Sequence, residues 1–423
     1  MLKQTLINNE CHIYFDNLKN IKKISDLIRI LNKYTSEGIK DFVFDFSNLK
    51  LQSFSPAHVS LAGIIQHYQE TKNINISFVE KEGLYIVHTD TKRPLFVNSN
   101  KELFKKDIFD KVVTFSTSED VAFISDQIIS QIERSMVCQE GVLVGLSWCM
   151  NEIMDNVFNH SRASRGYVMS QLHKRKRHIV ISIFDTGIGI YNSLLESGEY
   201  NPIDAKEAIE LAVGKGVSGN RTIGQGNGLW GLKQIVEDNK GYLSIMTGNT
   251  VVKYDFYKNE TTFFNNLPLL GEGHSCTRID FTLNIDKLIN VNQALDNYVP
   301  YERINSYIEE ITTDYGWIDF RVKNESLDGI GTRYAGRRLK RCILNLAKCD
   351  KQPILINFLE IDIITSSFAD EFIGKLVSEI GFVQFSSRFR IINANEYVSA
   401  LINKAILLRQ KIQNSWFLER ISI

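Results

Sequence analysis

A carboxylate and a carboxamide stand one helical turn apart in the run Asn151-Glu152-Ile153-Met154-Asp155-Asn156-Val157-Phe158-Asn159-His160-Ser161. The i, i+4 spacing places Glu152 and Asn156 on one face of a helix. An amide oxygen can ligate Mg2+, while a carboxylate can orient or deprotonate an attacking hydroxyl, so the pair suits a magnesium-phosphate site. Taken alone, the same pair also fits an exposed polar helix face. Further on, Asp185-Thr186-Gly187-Ile188-Gly189-Ile190 follows the apolar run Ile179 to Phe184. A carboxylate at a strand end, trailed by two glycines, fits a buried acceptor for an amino group with backbone free to approach a ligand. A third cluster, Gly224-Gln225-Gly226-Asn227-Gly228-Leu229-Trp230-Gly231-Leu232, sets three alternate glycines directly before a helix. Backbone N–H groups at such a helix start favour phosphates. A dinucleotide-binding fingerprint would open the first strand-to-helix turn of its domain, whereas this loop follows a helix, two strands and a long insertion.

The elements that must carry these residues can be read from periodicity. From Ser118 to about His160 the pattern is helical, with Glu119 and Asp120 in the first turn and a break near Gln139-Glu140-Gly141. Strand-like runs follow at Gly166 to Leu172 and His178 to Phe184, joined by His173-Lys174-Arg175-Lys176-Arg177, which reads as a solvated hairpin turn. A helix is expected over Leu229 to Asp238, then strands at Tyr242 to Met246, Val251 to Tyr257 and Thr277 to Leu283. Ahead of this block the first residues alternate: a helix Ile21 to Tyr34, a strand Phe42 to Phe46, a helix Pro56 to Gln69 with Ser55 as N-cap, and a strand Ile74 to Val79. Behind it come a helix near Arg337 to Leu346, a strand Ile354 to Phe358, a helix Ser367 to Ile380 and a strand Phe389 to Ile392. The two ends echo each other. Asp45-Phe46-x-x-Leu49-x-Leu51-x-Ser53-x-Ser55-x-Ala57 matches Asn357-Phe358-x-x-Ile361-x-Ile363-x-Thr365-x-Ser367-x-Ala369, which predicts a duplicated strand-turn-helix unit.

Composition sets the frame. A chain of 423 residues exceeds the roughly 250 residues at which single cores stop growing, so two or three domains are expected. With 43% hydrophobic and 23% charged residues the chain reads as globular. Lys+Arg and Asp+Glu are equal at 49 each, so no global field draws it to nucleic acid. Its six cysteines include no C-x-x-C pair and read as free thiols of a reducing cytoplasm. The amino terminus lacks an apolar stretch of signal-peptide length, and no run of ~18 apolar residues occurs, so a soluble, cytoplasmic protein without a membrane segment is expected.

The chemical motifs together resemble the GHKL ATPases, the class of gyrase, the heat-shock chaperone, histidine kinases and mismatch-repair ATPases. Glu152-x-x-x-Asn156 resembles their N-box, Asp185-x-Gly187-x-Gly189 the first glycine box, and Gly224-x-Gly226-x-Gly228-Leu229 the second. Thr277, within Gly273-His274-Ser275-Cys276-Thr277, resembles the last nucleotide-contacting box, although Gly273 stands four residues ahead of the threonine rather than directly before it. The resemblance implies a Bergerat-type sandwich over residues 111–290 that binds ATP and Mg2+. In it Asp185 recognises the adenine amino group, Asn156 ligates Mg2+, residues 191–228 form a lid over the phosphates, and Thr277 supports the adenine end. The flanks, 1–110 and 291–423, resemble STAS and STAS-like domains. Thr365-Ser366-Ser367 lies where such proteins carry an acidic-Ser-Ser element, so Ser366 and Ser367 are candidate phosphoacceptors, while Thr365 and Phe368 replace the usual acidic residue and glycine. Gly331-Thr332-Arg333-Tyr334-Ala335-Gly336-Arg337-Arg338 resembles the start of a bacterial STAS-like domain that often accompanies GHKL ATPases.

The expected fold class is therefore α/β (α+β), a central sandwich flanked by two smaller STAS-like α/β domains. The expected function is an ATP-binding regulatory protein that hydrolyses ATP or phosphorylates a serine and so controls protein contacts, with homodimerisation among the outcomes. An ATP-gated conformational switch and a nucleotide-sensing scaffold remain as alternatives. A histidine kinase is disfavoured, because no histidine lies between His88 and His160 to receive the phosphoryl group. Glu152 supplies the general base, where histidine kinases typically show Asn.

Overall fold

The computed structural model describes residues 2–18, 21–49, 55–79, 104–105, 107–217, 227–265, 275–296, 308, 311–326 and 330–421. The chain divides into two compact units, residues 1–129 with 145–299, and residues 130–144 with 300–423. Both are mixed α/β.

In the first unit β1 (Lys3–Ile7) and β2 (Glu10–Tyr14) form an antiparallel hairpin. Its two-residue turn is Asn8-Asn9, both at positive φ of 48° and 67°, the backbone that matches strand twist and that asparagine tolerates. β2, β3 (Asp41–Asp45) and β4 (Asn75–Val79) are parallel, in the order β1-β2-β3-β4. The crossovers differ in character. Helix α1 (Lys22–Ser36) buries Ile24, Leu27, Ile28 and Leu31 and exposes Lys22, Arg29 and Lys33, one apolar stripe at helical period. Helix α2 (Ser55–Lys72) is buried on every side from Ser55 to Ile65.

That all-round burial has a cause. α2 lies between the small sheet and a second, seven-stranded sheet, and one core joins Phe42 and Phe44 below it to Tyr167, Met169 and Phe184 above. At Gly63 a Cβ would sit 2.3 Å from the Phe184 ring, so only glycine allows this approach. The hydroxyls on α2 serve the sheet: Ser55 Oγ shares a 2.8 Å hydrogen bond with Ser182 Oγ, and Ser60 Oγ accepts from Arg278 at 3.3 Å. Ser55 is thus the first helical residue, its side chain committed to Ser182 rather than observed as an N-cap.

The large sheet is antiparallel throughout. It comprises β5 (Val112–Phe115), β6 (Gly166–His173), β7 (His178–Asp185), β8 (Tyr242–Thr247), β9 (Thr250–Asp255), β10 (Glu260–Phe264) and β11 (Thr277–Asn284), in the order β10-β9-β8-β11-β7-β6-β5. The basic run is the β6–β7 turn, as its composition suggests, and Arg177 holds Asp286 through Nε at 2.9 and 3.0 Å. Helix α3 spans Ser118–Ser135 and α4 spans Val142–Asn156. α5 (Gly189–Ser197), α6 (Ala205–Ala212) and α7 (Gly228–Asp238) complete the unit's larger helices. α7 crosses α4 closely, since a Cβ at Gly231 would meet the Trp148 ring at 2.2 Å.

The second unit carries three parallel strands, β12 (Ile318–Arg321), β13 (Ile354–Asn357) and β14 (Phe389–Ile392). Helix α8 (Arg333–Cys349) starts at a Thr332 N-cap whose hydroxyl accepts from Ala335 N–H at 3.1 Å. A rod built from Ser366–Ala369, a π-helical stretch Asp370–Gly374 and Lys375–Ile380 packs with Glu396–Ile421 over a core of Leu339, Ile343, Ile356, Phe368, Phe372 and Val398.

The predicted duplication is visible bond by bond. Asp45 Oδ1 accepts Ser47 N–H at 2.8 Å and Asn357 Oδ1 accepts Leu359 N–H at 3.0 Å. Phe46 N–H reaches Val79 O at 2.8 Å and Phe358 N–H reaches Ile392 O at 3.0 Å; Leu49 N–H returns to Phe46 O, and Ile361 N–H to Phe358 O, at 3.0 and 3.1 Å. Both strands therefore leave the sheet through the same turn.

Candidate functional site

Three segments of the first unit converge where the sequence places its chemistry. The first is the end of α4. Glu152 and Asn156 project from one face of this helix toward the start of α7, for a Cβ added to Gly228 would lie 3.1 Å from Glu152 Oε2 and 3.3 Å from Asn156 Nδ2. A side chain at Gly228 would crowd both groups, so glycine lets the α7 N-terminus approach them without displacing either. The carboxylate, the carboxamide and the helix start thus face one space. Leu229 follows Gly228 in the first turn of α7, half-buried. Gly224 and Gly226 lie outside the described residues.

Beyond Asn156 the helix widens into a π-helical turn, Val157–Ser161, a form met often at functional sites. Its last residue is a hub that the sequence does not advertise. Ser161 is buried, its carbonyl accepts Ile188 N–H at 2.8 Å, and its hydroxyl donates to Val157 O at 2.6 Å. The same carbonyl would be 2.0 Å from a Cβ on Gly187. Gly187 is therefore fixed by close approach of the α4 terminus, not by a special φ, whereas Gly189 sits at φ +79° as α5 begins.

Asp185 ends β7 at 5% exposure. It lies level with Gly166 on β6 and with Thr277 on β11, so both neighbouring strands bracket it. Burial pushes its carboxyl up to about 7, against the pull of the Gly187 N–H at 2.9 Å and the Ser161 and Thr277 side chains. A further hydrogen-bond donor beside this carboxyl would favour its charged form. The surrounding backbone is tightly pinned: Cys276 N–H donates to Gly187 O at 2.7 Å, and Ile190 N–H donates to Thr247 Oγ1 at 2.9 Å. Ser161, Thr247 and Cys276 were not legible as site residues, because each acts through backbone or through a neighbour many residues away.

The segment 191–228 is partly core. Leu194 of α5 and Ala205, Ala208, Ile209 and Ala212 of α6 are buried, and Asp204 caps α6 by accepting Glu207 N–H at 2.8 Å. Residues 218–226 lie outside the described residues. Among the described residues no group of three or more His, Cys, Asp or Glu converges as a metal site.

The second candidate site lies in the second unit. Thr365 Oγ1 accepts Phe368 N–H at 3.1 Å and donates to Gly331 O at 3.0 Å, so Thr365 is the N-cap of the rod. Ser366, in its first turn, is exposed, and Ser367 is half-buried. Asp370, one turn on, is bound bidentately by Arg409 at 2.8 and 2.7 Å. Hydrogen bonding to Arg409 holds the Asp370 carboxyl below the usual carboxylate range.

Residues 335–399 match the STAS-like domain of unknown function (DUF4325). This span contains most of α8, all of β13, the rod and β14, so the C-terminal unit holds a STAS-like domain. No curated protein matches the sequence. Among solved structures, full-length ShkA in complex with AMPPNP aligns over 73% of this chain and 60% of that one, at 10% identity and a TM-score of 0.22. The chain spans 60% of that protein's length, and a likeness so slight carries no argument about fold or function. Among the described residues no helix is long and apolar enough to cross a membrane.

Proposed function

We propose that the first unit is a GHKL-type nucleotide site and that the chain is an ATP-dependent regulatory protein whose STAS-like parts make its protein contacts. The observation that carries this reading is the convergence of Glu152, Asn156 and the α7 N-terminus at Gly228. The buried Asp185, bracketed by Gly166 and Thr277, supplies a separate purine-facing end. In this reading Asp185 accepts the exocyclic amino group of adenine, and Gly187, whose close approach to Ser161 O fixes the loop, holds the backbone beside it. Asn156 holds Mg2+ through its amide oxygen, the N–H groups ahead of α7 bind phosphate, and Glu152 activates the attacking hydroxyl of water or of a serine. Gly224, Gly226 and Leu229 belong to the phosphate end, and Gly189 and Thr277 to the base end.

Ser366 and Ser367 are candidate acceptors if the hydroxyl is a serine's, and the exposure of Ser366 favours it of the two. A cytoplasmic setting and an ATP-linked homodimer complete the proposal. The test is turnover of Mg2+-ATP by the purified chain, wild type against Glu152→Ala, with free phosphate and protein-bound phosphate counted together. Free phosphate lost in the variant identifies an ATPase, and phosphate retained on protein identifies a serine kinase. Tight ATP binding without either product leaves a nucleotide-gated switch or scaffold, and absence of ATP binding by wild type overturns the proposal.

A further inference from the structure

The turn ahead of the Glu152 helix is held by a stripe of side chains on the STAS-like helix. Residues 130–144, which include the end of α3 and the start of α4, belong to the C-terminal unit. A helix leaves its last four carbonyls without helical partners, and α8 takes up two of those of α3 together with carbonyls of the turn that follows. Asn345 Nδ2 donates to Glu133 O at 3.3 Å and to Met136 O at 3.0 Å, while its Oδ1 accepts Cys138 N–H at 3.0 Å. Arg341 Nη1 donates to Arg134 O at 3.5 Å, and Lys348 Nζ donates to Cys138 O at 2.7 Å.

Arg341, Asn345 and Lys348 are spaced i, i+4, i+7, so they form one stripe along α8. Asn345 is 1% exposed, and a buried amide with both donor and acceptor used has no substitute from water. Two cations at the negative end of the α3 dipole add to the hold. The basic composition of α8 is thereby accounted for without a nucleic-acid partner, since Arg337 and Lys340 pair with Glu371 and Glu379 on the rod. Four residues after Cys138 the chain enters α4, the helix that ends at Asn156. A helix is stiff over this length, so its position at one end constrains the other.

We propose that the Arg341-Asn345-Lys348 stripe is a clamp through which the STAS-like domain sets the position of α4 and hence of Glu152 and Asn156. A protein partner or a phosphorylation that displaces α8 would then change nucleotide handling, and by reciprocity nucleotide would tighten the clamp. This rests on the nucleotide-site reading above. The experiment combines hydrogen exchange with ATP binding and turnover on the full chain, for wild type, Asn345→Ala and Lys348→Ala.

The expected result has two parts. Exchange over 133–144 rises in both variants while ATP affinity or turnover changes fivefold or more, and ATP slows exchange at Met136 and Cys138 in wild type. Faster exchange with unchanged nucleotide handling overturns the clamp and leaves the ATP site standing. A wild type that binds no nucleotide overturns both. If Asn345→Ala does not fold, Lys348→Ala, which removes one partly exposed hydrogen bond, gives the same two-way outcome.

Discussion

The two copies of the strand-turn-helix unit use the same turn and end in different surroundings. In the first, the helix after the turn carries Gly63, pressed against the Phe184 ring; in the second, the matching position is Lys375, 34% exposed and paired with Glu371 at 2.8 Å. The turns themselves agree to within 0.2 Å in each of three hydrogen bonds, two between backbone groups and one from a backbone N–H to the Asp45 or Asn357 side chain, so local sequence sets them. What differs is the second face of the helix. In the amino-terminal copy the large sheet covers it, and the helix loses its polar side, exchanging it for serines that satisfy Ser182 and Arg278. In the C-terminal unit the rod keeps an exposed first turn at Ser366 and charged residues along its flank. The same local code thus serves a core element in one place and a surface element in the other.

The comparison can be broken most severely at Gly63. Gly63→Val drives side-chain atoms into Phe184 and Tyr167, both fully buried, and is expected to cost at least ~3 kcal/mol. Phe184 precedes Asp185, so the proposed nucleotide binding is expected to fall with it. Lys375→Ala is expected to cost about 1 kcal/mol or less and to leave binding intact. Chemical denaturation with parallel ATP titration compares the two, and equal losses would deny that the helices sit in different environments.

A second test concerns the ion pair beneath α2. Arg278 Nε holds Asp280 Oδ2 at 2.9 Å, with both side chains at most 7% exposed. Burial pushes the Asp280 carboxyl up against the pull of Arg278. Arg278→Met strands a buried carboxylate and is expected to lose roughly 3 kcal/mol, whereas the Arg278→Met, Asp280→Leu pair should recover most of that loss. A double variant as unstable as the single one would show that the pair is more than a matched exchange of charge.

pH separates the units further. The folded carboxyl of Asp185, raised from 3.8 to about 7, binds its proton more tightly than the unfolded one. Its stabilising contribution is complete below the unfolded value and is lost as pH rises through about 7. Asp185→Asn should therefore stabilise the nucleotide-free protein at pH 8, by up to about 4 kcal/mol, and much less near pH 4. The same variant is expected to lower ATP affinity a hundredfold or more. Asp370 carries the opposite sign: its depressed carboxyl contributes stability that is present above the ordinary carboxylate value and lost as pH falls. Thermal melts across pH 4 to 8 distinguish the two, and a flat difference between wild type and Asp185→Asn would remove Asp185 as the titrating group.

The smallest expected effect is at the shared turn. Asp45→Ala removes one hydrogen bond and should cost about 1 kcal/mol. Asn357→Ala should cost somewhat more, because its amide also donates to Asp319 at 2.8 Å and its oxygen accepts from Asn393 at 2.9 Å. Equal values would mean that the turn bond alone matters.

Short-range features were legible in the sequence wherever chemistry within a few residues dictates geometry. The i, i+4 placement of Glu152 and Asn156, the β6–β7 basic turn, the helix over 229–238 and the duplicated turn all follow from periodicity, turn residues and helix starts. Other short elements carry weak signals: the β1–β2 hairpin is marked only by Asn8-Asn9, while β5, β10 and β12 lack alternation strong enough to mark them. Tertiary structure decided the rest, because it depends on which distant segments meet. It brought Gly228 against Glu152 and Asn156, set Ser161 against Gly187, and bracketed Asp185 between Gly166 and Thr277. It also buried all sides of α2 from Ser55 to Ile65 against β6 and β7, about a hundred residues further along the chain. Periodicity reports how one segment divides its faces between oil and water, but a helix buried on both faces has no such division to report.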